Sequence, residues 1–130
     1  MSKSEWSVEE ADQYYGISKW GSGHFGVNQK GELTAYPDIN KLDVQISMKN
    51  IIDEIKSEGI ELPVVVRFQD ILRARVRELN KSFRSAIRVL GYCGTYKGVY
   101  PIKVNQMREV VEEVVESGSD FDFGLEAGSK

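Results

Sequence analysis

Lys103 is set in an otherwise apolar, strand-like run, Val99-Tyr100-Pro101-Ile102-Lys103-Val104-Asn105-Gln106. Desolvation removes part of a lysine's preference for the charged form, and the neutral amine is the species that attacks a carbonyl to form a Schiff base. The run therefore reads as the anchor for an aldehyde cofactor. In a strand, Val99, Pro101, Lys103 and Asn105 share one face, while Tyr100, Ile102 and Val104 share the other. The competing reading is an exposed lysine on an edge strand, where Pro101 removes a ladder hydrogen bond. Exposed lysines far outnumber buried ones, so spacing alone favours the edge strand.

Two other patterns invite a functional reading. Gly21-Ser22-Gly23-His24-Phe25-Gly26 fits GxGxxG, but no apolar strand precedes it and no helix follows, so a dinucleotide site is rejected. The segment reads as a turn-rich lead into a hairpin, with His24 at the surface. A single histidine is also too few for a histidine metal cluster. Arg73, Arg77, Lys81, Arg84 and Arg88 recur at three- and four-residue spacing and form a basic stripe along one helix. No aromatic residues interleave them to stack bases, so the stripe reads as a solvated helix face. Glu112, Glu113, Glu116, Asp120 and Asp122 are placed to offset it, in the next helix or across a subunit contact.

The elements that must carry these residues follow from periodicity and punctuation. Ser7 caps a short amphipathic helix over Val8–Tyr15. A β-hairpin spans Phe25–Asn28 and Glu32–Tyr36 around Asn28-Gln29-Lys30-Gly31, and Pro37 stops its second strand. Met48, Ile51, Ile52 and Ile55 predict a helix ending near Ser57 or Glu58, with Gly59 as its left-handed terminus. Pro63–Phe68 predicts a buried strand. Asp70 is expected to cap a long helix whose apolar face is Leu72, Val76, Leu79, Phe83, Ile87 and Leu90, ended by Gly91. The lysine-bearing strand then runs from about Tyr96 to Val104. Val110, Val111, Val114 and Val115 mark a helix closed by Gly118, and Phe121–Glu126 is the next strand. Strand, helix, strand with short connections predicts βαβ units and a parallel sheet.

The chain has 130 residues, 41% hydrophobic and 28% charged, which is ordinary for a globular sequence. A net charge of −3 and a pI near 5.3 give no long-range pull on nucleic acid or an anionic membrane. Cys93 alone excludes a disulfide framework and a multi-cysteine metal site, and is expected to be a small packing residue. No secretory or membrane-spanning apolar run is present, so the expected location is the cytoplasm.

The wording VYPIKVNQ at Val99–Gln106, followed by GLEAGSK at Gly124–Lys130, resembles the biosynthetic arginine decarboxylases. Those are pyridoxal-phosphate enzymes with an alanine-racemase-like barrel. The likeness extends over Tyr15-Gly16-Ile17, Trp20-Gly21, the hairpin, Leu62–Phe68, Ile71-Leu72 and Val110-Val111-Glu112. Gln69 departs from it, since the family is expected to carry proline after Arg67-Phe68.

The resemblance implies an α/β fold: the start of a (β/α)8 barrel in residues 41–130, preceded in residues 1–40 by a hairpin segment belonging to a β-domain. It makes Lys103 the catalytic residue that forms the Schiff base with pyridoxal phosphate, and places Glu126 and Ser129 beside the cofactor. For Glu126, an acid at a strand end facing water is an equal alternative. The implied reaction converts L-arginine to agmatine and carbon dioxide in polyamine and spermidine biosynthesis. Magnesium and a homo-oligomer are implied by the resemblance only. A complete barrel needs about 250 residues. The expectation is therefore an amino-terminal fragment with an unfinished barrel, inactive by itself. The alternatives are a non-catalytic interaction domain or part of a diaminopimelate- or ornithine-type decarboxylase.

Overall fold

Ser7 and Glu10 close a capping box at the start of helix α1 (Val8–Tyr15): the Ser7 hydroxyl accepts from the Glu10 amide, and Glu10 Oε2 accepts from the Ser7 amide at 3.0 Å. The predicted helix and its cap are both present in the computed structural model, which describes residues 6–128. Gly16 ends α1 at φ 61 and turns the chain into helix α2 (Ile17–Gly21), an element the sequence did not signal. Asp12 ties the two helices by accepting from the Ser18 amide at 3.0 Å.

The hairpin forms where it was expected. Strand β1 (Phe25–Val27) pairs antiparallel with β2 (Leu33–Ala35), with Gly26 opposite Thr34. Asn28 Oδ1 accepts from the amides of Lys30 and Glu32, and Gly31 takes φ 78 in the turn. The Asn28 amide also donates to Glu32 Oε2 at 3.0 Å and, with the Ser47 hydroxyl, holds the Glu32 carboxyl below its ordinary value. A third strand, β3 (Ile46–Ser47), pairs antiparallel with β2. Two residues carry no periodicity, so β3 was not legible beforehand. Ser47 then caps helix α3 (Met48–Ser57), which packs on β2 and β3 and ends before Gly59 at φ 75. Thr34 and Ala35 are fully buried at the centre of this unit, which runs to Arg67.

Two expectations in this unit fail. His24 is buried: its Nδ1 lies 3.0 Å from the Tyr36 carbonyl oxygen, and its backbone carbonyl accepts from the Tyr36 amide. The hairpin supplies a polar partner to the ring, and that is what allows an imidazole inside. Pro63–Phe68 forms no strand, and Val65 is 75% exposed. A β-branched run becomes a strand only by pairing, and no described strand hydrogen-bonds to it.

The second unit begins at Phe68. Helix α4 (Gln69–Leu90) is capped at Phe68 without a side-chain bond, so Asp70 lies inside the first turn rather than at the cap. An acid in the first turn still complements the positive end of the helix. Gly91 closes α4 at φ 62 as expected. Strand β4 (Val99–Pro101) pairs parallel with β5 (Gly124–Glu126) through helix α5 (Arg108–Gly118), which is the predicted βαβ unit. Val76, Val110, Val114 and Phe121 form its core. Phe123 fits there because Gly98 and Gly118 lack side chains: a Cβ at Gly98 would overlap its ring, and one at Gly118 its Cβ. The α/β class therefore holds.

Beyond Val76, the apolar face of α4 is covered only in part; Leu79 and Phe83 are 45% exposed and Leu90 is 79% exposed. Cys93 is exposed, contrary to a packing role, because it lies in the loop after α4 has turned at Gly91. Among the described residues no helix is long and apolar enough to cross a membrane.

Candidate functional site

Parallel pairing brings the carboxyl ends of β4 and β5 side by side, in the register Val99 with Gly124, Tyr100 with Leu125, and Pro101 with Glu126. Chain polarity makes this edge the place from which residues following both strands project together, and α/β proteins assemble their chemistry at such ends. Glu126 is the last residue of β5 and is half-buried. Ser129 lies outside the described residues.

Lys103 follows β4 by two residues, but it is not in the strand. Ile102–Val104 coil into a 3₁₀ turn directly after Pro101, so the strand alternation assigned to Lys103 and Asn105 does not apply. Pro101 explains the break, since its missing N–H ends the ladder where the run was expected to continue. Lys103 is exposed on this turn, with no ion-pair partner among the described residues. The desolvated strand position predicted for it is thus not the one it takes. Lys97, by contrast, is held by Asp122 at 3.4 Å.

Two side chains hold the Lys103 turn, and the sequence reading passed over both. The Tyr100 hydroxyl donates to the backbone carbonyl of Asn105 at 3.2 Å, spanning the whole turn. Asn105 Oδ1 accepts from the Met107 amide at 3.0 Å, just before α5 begins. The second bond had a signal: asparagine two residues ahead of a helical period is an Asx-turn pattern.

The basic stripe resolves into packing. Arg73 forks onto Glu113 of α5 with Nε–Oε1 at 2.5 Å and Nη2–Oε2 at 2.9 Å, and Arg84 donates to the Asp120 carbonyl at 3.0 Å while covering the Phe121 ring. Two of its five cations therefore fasten α4 to the segment containing α5, and Arg77, Lys81 and Arg88 face solvent; of the acidic residues expected to offset the stripe, Glu113 pairs with it, whereas Glu112 pairs with Arg108 and Asp122 with Lys97. Hydrogen bonding from Arg73, reinforced by its charge, holds the Glu113 carboxyl below its usual value against the opposing effect of burial. The GxGxxG match runs from the last residue of α2 into β1, without the preceding strand and following helix that a dinucleotide site requires.

An exposed amine with no ion-pair partner among the described residues is chemically suited to attach an aldehyde such as the pyridoxal phosphate that the resemblance implies. Magnesium finds no such match: among the described residues no three histidine, cysteine, aspartate or glutamate side chains come together to hold an ion.

No family model matches the chain. Curated relatives do. A biosynthetic arginine decarboxylase from Prochlorococcus marinus subsp. pastoris (strain CCMP1986 / NIES-2087 / MED4) is 44% identical over 126 residues, covering 97% of this chain and 19% of that protein. One from Gloeobacter violaceus (strain ATCC 29082 / PCC 7421) is also 44% identical over 126 residues with the same coverage. One from Prochlorococcus marinus (strain MIT 9215) is 40% identical over 128 residues, covering 98% of this chain and 20% of that protein. Along nearly its whole length, then, this chain is a homologue of proteins named biosynthetic arginine decarboxylase, and it spans about a fifth of their length.

Proposed function

We propose that this chain supplies the cofactor-anchoring part of an arginine decarboxylase, with Lys103 attached to pyridoxal phosphate. The observation that carries the reading is the location of Lys103, an exposed lysine with no ion-pair partner among the described residues, on the turn that follows β4, the strand paired parallel with β5. Similarity to named decarboxylases over 97% of the chain supports it. In this reading β4, α5 and β5 are one βα repeat of a barrel, residues 1–40 belong to a β-domain, and the protein works in the cytoplasm as a homo-oligomer on L-arginine.

When bound, the cofactor supplies an electron sink for the bond to the departing carboxylate. The chain's own contribution is position. Lys103 presents its amine at the strand ends, Glu126 places a carboxylate on the neighbouring strand, and Ser129 offers a hydroxyl close by in sequence. The α4–α5 packing and the Phe123 wedge keep the two strand ends in register. Residues that recognise the guanidinium, hold the phosphate or bind magnesium are assigned to no position of this chain.

The test is the full polypeptide that carries this sequence. Incubated with pyridoxal phosphate and then borohydride, it should retain the reduced cofactor on Lys103, and it should release carbon dioxide from arginine. Absence of the Lys103 adduct overturns the cofactor assignment. An adduct without release from arginine, but with release from diaminopimelate or ornithine, moves the substrate to that relative.

A second reading, a non-catalytic interaction module, is favoured by one observation. Phe83, Ile87, Leu90 and Tyr92 line an open groove of about 540 Å³ at the end of α4, and such apolar surface favours association. Sedimentation of the 130-residue chain tests it: a monomer at every concentration counts against association.

A further inference from the structure

We infer that Tyr100 and Asn105 are positioning residues for Lys103, an assignment that rests on the function proposed above. The turn carrying Lys103 is three residues long, and turns of this kind fray readily because their hydrogen-bond geometry is poor. Here it is bracketed. The Tyr100 hydroxyl, projecting from β4, donates to the Asn105 carbonyl at 3.2 Å, and Asn105 Oδ1 accepts from the Met107 amide at 3.0 Å. Together the two bonds join the last turn-forming residues to the strand on one side and to the start of α5 on the other. Lys103 lies between them.

The half-buried state of Tyr100 and Asn105 matters as much as the distances. The bond between them is partly shielded from competing water, whereas the Asn105–Met107 bond and the side chains of Lys103 and Val104 are exposed. The outcome is a fixed backbone beneath a free side chain. A group that must join an aldehyde, leave it and return needs that combination, because misplacement by about 1 Å costs on the order of 100-fold in rate. Asn105 contributes through two different atoms. Its carbonyl takes the Tyr100 proton donor, and its side chain takes the Met107 N–H, so an aspartate at 105 keeps both acceptors and an alanine keeps one.

Two measurements test this. In the 130-residue chain, without cofactor, amide hydrogen exchange should quicken in residues 102–107 for Tyr100→Phe and Asn105→Ala, remain near wild type for Asn105→Asp, and remain unchanged in α4 for all three. Exchange indistinguishable from wild type in Tyr100→Phe and Asn105→Ala overturns the bracket. In the full polypeptide, Tyr100→Phe and Asn105→Ala should lower kcat about tenfold with KM for the amino acid unchanged, shift the pH at which the lysine-bound cofactor's visible band titrates, and be matched by no such change in Asn105→Asp. An unmoved kcat and band overturn the positioning role. If exchange responds as stated while no cofactor ever attaches to Lys103, it is the proposed function that fails. Should Asn105→Ala prove unfolded, Tyr100→Phe carries the test, since it removes one oxygen and leaves the ring's packing in place.

Discussion

Arg73 of α4 and Glu113 of α5 meet through two parallel hydrogen bonds, at 2.5 and 2.9 Å, and Glu113 is 6% exposed while Arg73 is 41% exposed. A buried carboxylate is therefore neutralised by a guanidinium that keeps part of its hydration, which lowers the desolvation cost of the pair. This contact joins the long helix to the crossover helix of the βαβ unit.

Removing the carboxylate should cost stability and alter its pH dependence. Glu113→Gln is expected to destabilise the second unit by about 1–2 kcal/mol, discounted for the exposure of Arg73. The Glu113 carboxyl is held below its usual 4.5 by Arg73. A depressed carboxyl contributes stability above the unfolded-state value and loses it as pH falls through the folded-state value. Thermal unfolding followed from neutral pH downward should show wild type losing stability below about pH 4.5, with a shallower loss in Glu113→Gln. Parallel curves would remove Glu113 from the account.

Asn80 is 1% exposed; its amide donates to the Val76 carbonyl at 2.8 Å, but its Oδ1 has no partner among the described residues. An unsatisfied buried acceptor is costly, and leucine has nearly the same shape. Asn80→Leu should raise the denaturation midpoint, by about 1 kcal/mol of stability. A fall instead would mean that Oδ1 accepts a hydrogen bond from water.

Gln69 opens α4, the position at which proline is most favoured, and the residue before it, Phe68, has φ −104 and ψ 99, the extended conformation that a following proline demands. Gln69→Pro should stabilise the fold by about 0.4–1 kcal/mol through the unfolded state. A loss of helix by circular dichroism would show that the Gln69 N–H is in use.

Phe123 distinguishes two glycines. A Cβ at Gly118 would meet the Phe123 Cβ, which cannot swing away, whereas one at Gly98 would meet the ring edge, which has some freedom. Both alanine variants should destabilise by about 1–3 kcal/mol, with Gly118→Ala the worse. Denaturant titration of the two variants gives the order, and the reverse order contradicts this packing.

Much of this protein was legible in one dimension because its signals are local. Ser7 and Glu10 lie three apart and cap α1, Asn28 and Gly31 shape the hairpin turn, and valines at helical spacing mark α5. Of the acidic residues placed to offset the basic stripe, Glu113 does so through Arg73, whereas Glu112 and Asp122 pair with Arg108 and Lys97. The wording around Lys103 and Gly124 pointed to the decarboxylases, and relatives with that name align along almost the whole chain. What needed the tertiary structure were features that depend on a partner distant in sequence. Pro63–Phe68 has a strand's composition and joins neither sheet of the described residues; His24 is polar and alone in sequence, yet is buried against Tyr36. Lys103 is the clearest case. Its residue type and surroundings in sequence were plain, but whether the chain stayed extended there was decided by Pro101 ending the ladder and by the Tyr100 and Asn105 hydrogen bonds closing a turn. Periodicity assigns a face only while the backbone remains regular, and it is three-dimensional pairing that determines where regularity stops.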